Sequence, residues 1–171
     1  CPRCQLHLHL CACDLMPNLD TRTRVVVLLH SQELKKPSNT GQLASRVLKN
    51  SEVRIRGAID RKPLPLEELF DEEYDTALLA LTEHSIDLGD FRPQKPVRLL
   101  VPDGTWAQAS RLSSKLQKKF PHLKTVKLKA DVPSIYRLRT EHDPNGMATY
   151  EAIARALGEL ENQNVDRKST R

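Results

Sequence analysis

The chain has 171 residues and a formal net charge of +5, and 39% of its residues are hydrophobic. This is the length of about one domain, enough to bury a single core. The apolar content excludes a disordered chain. Without an apolar run of roughly 18–20 residues, the sequence also excludes a membrane-spanning protein. The chain starts at Cys1 without a methionine and shows no signal peptide, so we expect a trimmed cytoplasmic protein.

Strands and helices alternate in the first half of the chain. A Val-rich apolar run predicts a buried strand over Arg24–His30. Apolar residues at helical spacing predict a helix over residues 40–49, and strict alternation predicts a second strand over residues 52–57. An acidic connection with prolines follows over residues 61–75, and one helical turn is expected at residues 66–70.

The second half continues this alternation. Strands are predicted over residues 76–82, 97–101 and 125–129, and helices over residues 106–120 and 148–161. Strands that alternate with helices are typical of an α/β domain with a largely parallel sheet. Residues 162–171 are predicted to form a flexible tail.

All four cysteines lie within the first thirteen residues, as Cys1, Cys4, Cys11 and Cys13. Four closely spaced thiolates suit a tetrahedral Zn²⁺, with bonds of about 2.3 Å. Because the protein would fill every ligand position, such a zinc is expected to be structural. An iron–sulfur cluster is the main alternative, and disulfides or unrelated thiols fit a chain without a secretion signal less well.

Positive charge is concentrated between residues 104 and 140, where nine basic residues accompany one acid, while the remainder of the chain carries −3. Four of these basic residues share one face of the predicted helix: Arg111, Lys115, Lys118 and Lys119. A solvated helix face usually mixes charges of both signs. A field of one sign therefore favours binding of a polyanion such as RNA.

Three polar loops follow predicted strands, at residues 30–41, 82–85 and 103–106. In a parallel α/β sheet, ligands bind beyond the carboxyl ends of the strands, so we expect a site where these loops converge. Each loop also has a purely structural explanation, because Asp103 and Asn39 are residue types that cap helices.

The loop Asp103-Gly104-Thr105-Trp106 resembles the signature of the DTW-domain family. Further motifs stand in the order that this family shows: the cysteine cluster, Ser-Asn-Thr-Gly at residues 38–41, Tyr-Arg-Leu-Arg at residues 136–139, and the stretch from Gly146 to Ala152. The resemblance covers residues 1–161, almost the whole chain.

This resemblance implies a SPOUT-like fold, a largely parallel α/β sheet with helices on both faces and a C-terminal trefoil knot. It implies one domain over residues 1–161, in which a zinc knuckle at residues 1–16 precedes the core at residues 22–161. The alternation of elements alone predicts the α/β class and not the knot, since knots are rare.

The activity implied by the resemblance is that of a tRNA-uridine aminocarboxypropyltransferase. Such enzymes transfer the 3-amino-3-carboxypropyl group of S-adenosyl-L-methionine to N3 of a tRNA uridine. The resemblance suggests a bacterial member, and the bacterial members act on a uridine of the variable loop. The products are acp3U and 5'-methylthioadenosine. A SPOUT-type RNA methyltransferase and a non-catalytic zinc-containing RNA-binding module are the alternatives. The expected partners are tRNA and S-adenosyl-L-methionine, and a monomer is favoured over a homodimer.

The resemblance also suggests roles for individual residues. Asp103 is expected to act either as a general base or as a holder of the donor's amino group, beside Thr105 and Trp106 as the other catalytic residues. The expected donor-binding residues are Glu33, Asn39, Thr40, Thr82, Asp103, Gly104, Trp106, Thr149 and Glu151. The expected RNA-binding residues are Arg111, Lys115, Lys118, Lys119, Tyr136, Arg137 and Arg139.

Overall fold

The computed structural model describes residues 1, 4, 7–36, 39–57, 65–129 and 147–169. Within these ranges the strands are β1 (Arg24–His30), β2 (Ser51–Arg56), β3 (Asp75–Leu79), β4 (Ile86–Asp87), β5 (Val97–Asp103) and β6 (Lys124–Lys127). The α-helices there are α1 (Gly41–Val47), α2 (Trp106–Lys119) and α3 (Thr149–Ser169). Short 3-10 turns occur at Leu8–Leu10, Cys13–Leu15, Ser31–Glu33, Leu66–Leu69 and Leu88–Asp90.

The strands form one sheet in the order β2-β1-β5-β3-β6-β4, and every neighbouring pair is parallel. The predicted α/β class with a parallel sheet is therefore confirmed. The centre of the sheet is β1 paired with β5, and both strands are buried along most of their length. Because both faces of a parallel sheet are covered, its central strands are nearly continuous apolar runs.

Alternation along β1 divides the core into two layers, one on each face of the sheet. Val25, Val27 and Leu29 pack with residues of α1 and α3 on one face. Val26 and Leu28 pack with residues of α2 and of the turn at Leu66–Leu69 on the other. Helices thus cover both faces, as expected.

Most predicted elements are shifted by one or two residues at an end, and four differences are informative. The strand β3 ends at Leu79, so the predicted end at residue 82 is wrong. The strand β4 has only two residues, too few for a hydrophobic pattern, and it was not predicted. The strand β5 continues through Asp103, two residues beyond the predicted end. The helix α3 continues to Ser169, so the predicted end at residue 161 is wrong. No glycine or proline occurs between residues 159 and 169 to stop that helix. The flexibility of residues 162–171 stays a prediction.

The predicted C-terminal knot depends on the path of residues 130–146, which lie outside the described ranges. The knot is therefore not established by the strands and helices above. Of the helices in the described part of the chain, none is both long and apolar enough to cross a bilayer.

Candidate active site at the carboxyl edge of the sheet

The carboxyl ends of β1 and β5 lie side by side, because these two strands pair directly. Their register places Leu29 beside Asp103, which is the last residue of β5. The loops that follow the two strands therefore start at the same edge of the sheet, where open α/β sheets bind ligands. The structure thus brings together the first and third of the three predicted loops.

Asp103 lies at the centre of this edge and is only 4% exposed. It follows the alternation of Val97, Leu99 and Val101, so its side chain extends to the face covered by α1 and α3. Asp103 Oδ2 accepts a hydrogen bond from Asn39 Nδ2 at 2.6 Å.

The other carboxylate oxygen, Asp103 Oδ1, accepts a hydrogen bond from Thr149 Oγ1, also at 2.6 Å. Asn39 precedes α1, and Thr149 is the first residue of α3. One carboxylate therefore joins the segment before α1, the end of β5 and the start of α3. In the sequence, Asn39 lies 64 positions from Asp103 and Thr149 lies 46 positions from it.

The start of α1 fits closely against this carboxylate. A Cβ atom on Gly41 would lie 2.4 Å from Asp103 Oδ2, so this position requires glycine. Asn39 Oδ1 accepts a hydrogen bond at 3.2 Å from a backbone N–H in the first turn of α1. Thr40 Oγ1 instead accepts one at 3.3 Å from the second backbone N–H of α3. Asn39 and Thr40 thus hold the two helix starts together around Asp103.

The loop between β5 and α2 is held by a capping box. Thr105 Oγ1 accepts a hydrogen bond from the backbone N–H of Gln108, and the Gln108 side chain accepts one from the backbone N–H of Thr105. Thr105 is therefore the cap of α2, and the interpretation of Asp103 as that cap is wrong. Trp106 begins α2 with its side chain 49% exposed, so it is not the core residue that a structural role would require.

Gln108 and Gln32 are functional candidates that the sequence reasoning missed. Gln108 Nε2 donates a hydrogen bond to Gln32 Oε1 at 2.7 Å, which ties the loop after β1 to the start of α2. The spacing Thr105-x-x-Gln108 is a known N-terminal signature of helices and was available as a signal. No comparable sequence signal pointed to Gln32.

Arg56 is a third residue that the sequence reasoning missed. It lies at the carboxyl end of β2 and pairs in register with His30. Its Nη2 donates to the backbone oxygen of Gln108 at 3.0 Å. Burial lowers the pKa of Arg56, and the negative charge of Asp103 opposes that shift. Burial and the charge of Arg56 likewise lower the pKa of His30. The guanidinium of Arg56 therefore interacts with the charge of Asp103, and Arg56 in turn disfavours the protonated form of His30.

Three further residues predicted to bind the donor have other contacts. Glu33 is 2% exposed and pairs with Lys36 Nζ at 2.6 Å. Thr82 Oγ1 lies 2.9 Å from Ser85 Oγ in the loop that follows β3, and it is not among the hydrogen-bond partners of Asp103 described above. Glu151 Oε1 accepts from Arg155 Nη2 at 2.7 Å along α3. Their donor-binding roles stay predictions.

The four cysteines converge near the N-terminus and form no disulfide with one another. The Sγ atoms of Cys1 and Cys13 are 3.6 Å apart, those of Cys4 and Cys11 are 3.8 Å apart, and all four lie within 4.8 Å of one another. A tetrahedral zinc with bonds of about 2.3 Å separates its sulfur ligands by about 3.8 Å. The cluster therefore fits a four-coordinate metal ion.

The electrostatics of the cluster also favour a cation. Burial raises the pKa of Cys13 to about 11, and hydrogen bonds and charge from Cys11 and Cys4 add to this effect. Four thiolates cannot stand together without a compensating positive charge, and a divalent metal ion supplies it. The disulfide alternative is not supported by the sulfur spacing, because Sγ–Sγ distances of 3.6 and 3.8 Å are far longer than the bond of about 2.05 Å in a disulfide.

The basic face of α2 is exposed as predicted. Arg111, Lys115 and Lys118 are exposed, and with Lys119 and two serines they line an open depression of about 620 Å³. Lys119 forms an ion pair with Glu67. The predicted RNA contacts Tyr136, Arg137 and Arg139 lie outside the described residues.

Comparison with known families gives a match to the DTW domain over residues 1–170. The chain belongs to the DTW-domain family. Its loop Asp103-Gly104-Thr105-Trp106, recognised from the sequence, thus lies at the carboxyl edge of the sheet in this DTW domain. No solved structure matches the chain.

Among curated proteins, the DTW domain is similar to animal enzymes named tRNA-uridine aminocarboxypropyltransferase 2. The relative from Macaca fascicularis is 28% identical and that from Mus musculus 27% identical, each over 96% of this chain and 57% of the relative. The relative from Drosophila melanogaster is 26% identical over 95% of this chain and 67% of the relative. The chain thus spans little more than half the length of the two mammalian relatives. The expected kinship with bacterial members stays a prediction.

Proposed function

We propose that this DTW domain is the catalytic unit of a tRNA-uridine aminocarboxypropyltransferase. The domain match extends over residues 1–170, and the similar curated proteins are named for this activity. The observation that supports the proposal most is the buried Asp103 carboxylate, which gathers three segments of the family signature at the ligand-binding edge of a parallel sheet.

The proposed donor is S-adenosyl-L-methionine and the proposed acceptor is N3 of a tRNA uridine. N3 attacks the γ-carbon of the aminocarboxypropyl chain, a new C–N bond forms, and the C–S bond breaks. The electron pair of that bond stays on sulfur, which leaves as the neutral thioether 5'-methylthioadenosine. The N3 proton is lost to a base or to water. Because a sulfonium activates three carbons, the enzyme selects the product mainly by positioning one of them.

We assign Asp103 a positioning role rather than that of a general base. Both of its oxygens already accept short hydrogen bonds, from Asn39 and Thr149. A carboxylate has about four lone-pair directions, so it retains acceptor capacity for the ammonium of the donor. Asp103 would thereby orient the aminocarboxypropyl chain and keep both helix starts in place.

Trp106 is proposed to form a wall of the donor pocket. Its indole is half-exposed at the first position of α2, directly after the signature loop. An indole face attracts a sulfonium or an ammonium by about 0.5–2 kcal/mol. Thr105 would act mainly through its cap, which fixes the direction of α2 and so the position of Trp106.

The basic face of α2 is proposed to bind the tRNA backbone. This helix starts at the signature loop, so its cations extend away from the site. Lysine and arginine side chains release condensed counterions when they bind phosphates, which supplies affinity without base specificity. A folded tRNA bound along this face would present an unstacked loop uridine near Trp106 at modest cost.

The finer structural features are proposals as well. The cysteine cluster would hold one structural Zn²⁺ through Cys1, Cys4, Cys11 and Cys13, since their sulfur spacing suits that ion. The SPOUT-like knot is proposed from the family resemblance alone, since residues 130–146 lie outside the described ranges. A bound metal ion would hold the four cysteines in one arrangement.

The test is incubation of the protein with unmodified tRNA and S-adenosyl-L-methionine, followed by identification of the small-molecule product. Formation of 5'-methylthioadenosine that depends on tRNA supports aminocarboxypropyl transfer. Formation of S-adenosylhomocysteine would instead assign the chain to the methyltransferases. Tight tRNA binding without either product would assign it to the non-catalytic RNA-binding modules.

A further inference from the structure

A second cavity lies at the opposite edge of the sheet from Asp103. It has a volume of about 650 Å³, and its lining includes Asp75 at the start of β3 and Lys124 at the start of β6. These are the amino ends of parallel strands, whereas the signature loop follows a carboxyl end. Sites for small ligands usually measure about 300–1,000 Å³. The cavity is therefore large enough for a nucleotide and separate from the donor site.

Aromatic side chains are concentrated in this cavity. The chain has only seven Phe, Tyr and Trp residues. Four of them line the cavity: Phe70, Tyr74, Phe91 and Phe120. The rings of Phe70 and Phe120 are 4.0 Å apart and both are half-buried, so part of each remains accessible. A flat aromatic ligand could stack on such a wall, since stacking of a base on an aromatic side chain contributes about 1–3 kcal/mol.

Cationic side chains line the cavity beside its aromatic wall and can contact a phosphate. They are Arg92, Lys119 and Lys124, accompanied by His122, and Lys119 is also paired with Glu67. Two of the three acids that line the cavity already accept hydrogen bonds. Asp71 accepts from Arg98 Nη2 at 2.5 Å, and this contact lowers the pKa of Asp71. Asp75 Oδ2 accepts from the backbone N–H groups of residues 94 and 95. The third acid, Glu72, is exposed.

The cavity is continuous with the basic face of α2. Lys119 lines both the cavity and the depression formed by Arg111, Lys115 and Lys118. The helix has 14 residues, so about 21 Å separates its start at Trp106 from its end at Lys119. A nucleic acid bound along α2 would thus reach the signature loop at one end and the aromatic cavity at the other.

We propose that this aromatic cavity binds a second, unstacked nucleotide of the substrate tRNA, about 20 Å from the uridine that is modified. The base stacks on the wall formed by Phe70 and Phe120, and its phosphate contacts His122 and Lys124. This inference rests on the proposed function, because it takes tRNA as the substrate. The site acts as an anchor, which sets the distance from a fixed nucleotide to the reacting one.

The experiment measures the KM for tRNA and kcat in the full chain carrying Phe120→Leu, which keeps an apolar side chain but removes the stacking ring. The expected result is a KM for tRNA raised about 5- to 30-fold at a kcat within twofold of wild type, as the loss of one stacked base predicts. The affinity for S-adenosyl-L-methionine should not change. A second variant, His122→Gln with Lys124→Gln, alters only exposed side chains and should also raise KM.

The matched control is Lys49→Gln, which removes one exposed positive charge at the far end of the sheet beside β2. If the double variant His122→Gln with Lys124→Gln has the same KM for tRNA as this control, the inference is overturned. This outcome does not depend on whether Phe120→Leu folds stably. If wild type forms product and no cavity variant changes KM, the anchor is wrong and the proposed function stands. If wild type forms no product but cavity variants weaken tRNA binding, the anchor stands and the proposed function is wrong.

A free mononucleotide carries the same base and phosphate as a tRNA nucleotide and is the alternative ligand of the cavity. Uridine or adenosine monophosphate at millimolar concentration should bind weakly and compete with tRNA in wild type. Micromolar binding of either one that Phe120→Leu abolishes, with no change in tRNA affinity, would assign the cavity to a free nucleotide and overturn the tRNA anchor.

Discussion

Asp103 joins residues that are far apart in the sequence, and its contacts explain why an acid stands there. Its oxygens accept from Asn39 and Thr149 in a buried setting. Removing one partner from a buried hydrogen bond costs about 1–3 kcal/mol, because the other group stays unsatisfied. The residue thus stabilises the site and shapes it at the same time.

Replacement Asp103→Asn keeps the size of the side chain but puts an amide N–H₂ opposite one of the two donors. We expect the rate to fall on the order of 100-fold, since a shift of about 1 Å in a reacting group has that effect. The free energy of unfolding should fall by about 1–3 kcal/mol. Single-turnover rates and thermal unfolding would measure both. An Asp103→Asn variant with the wild-type rate would contradict the positioning role of Asp103.

The hydroxyl of Thr149 tests the same contact. Thr149→Ser keeps this hydroxyl and should retain most activity, whereas Thr149→Val removes it and should lose most activity.

The variant Gly41→Ala tests how closely the start of α1 packs against the Asp103 carboxylate. A methyl group added there would lie 2.4 Å from Asp103 Oδ2, so Gly41→Ala must displace the carboxylate or α1. We expect a loss of about 1–3 kcal/mol in stability and a parallel loss of activity. Gly158→Ala is the matched control, because nothing lies within 4 Å of its added Cβ in α3. That variant should gain about 0.5–1 kcal/mol, and equal behaviour of the two would refute close packing at Gly41.

At the scale of elements, the pattern of apolar residues predicted most of the sheet. The bounds of β1 agree with the prediction because five consecutive buried residues define it. The strand β5 was predicted to end at residue 101, because Pro102 is a residue that central strands usually exclude. The two-residue β4 has no periodicity to detect. Local pattern thus predicts long strands well and strand ends poorly.

The candidate site was predicted only in part, because a local sequence pattern does not contain contacts between distant residues. Its loops could be found because each follows an apolar strand, and the signature loop identified the family. The hydrogen bond between Asp103 and Thr149 joins residues 46 positions apart, so no local pattern contains it. Alternation predicted the strand that contains Arg56 but not its neighbour, because only the pairing of β2 with β1 places Arg56 beside His30. Such contacts depend on strand order, which periodicity does not specify.

The N-terminal cysteine cluster provides a prediction for one element. We expect about one zinc ion per chain in protein prepared without a histidine tag, as metal analysis would measure. Cys13→Ser should lose most of this zinc, because removal of one buried ligand opens the tetrahedral site. Asp14→Asn, next to it in the same turn, is the control and should retain zinc. A visible absorption band typical of an iron–sulfur cluster would contradict the assignment.

At the scale of the whole molecule, positive charge lies on α2, which begins at the site. Arg111, Lys115 and Lys118 are exposed there. If these three bind phosphates of a single strand, the logarithm of tRNA affinity should fall with that of salt concentration, with a slope of about −2. Lys115→Gln should reduce this slope by about 0.7. Lys49→Gln, which lies beside β2, should leave it unchanged, and equal slopes for both variants would contradict the predicted RNA path.

The proposed function depends on which carbon of the donor reaches the uridine. The most direct measurement uses two preparations of S-adenosyl-L-methionine, one labelled in the methyl group and one in the aminocarboxypropyl chain. After reaction, the tRNA is digested to nucleosides and analysed by mass spectrometry. Aminocarboxypropyl transfer would place the aminocarboxypropyl label on a uridine and leave the methyl label in 5'-methylthioadenosine. Methyl label on the tRNA, with the chain label in S-adenosylhomocysteine, would contradict it.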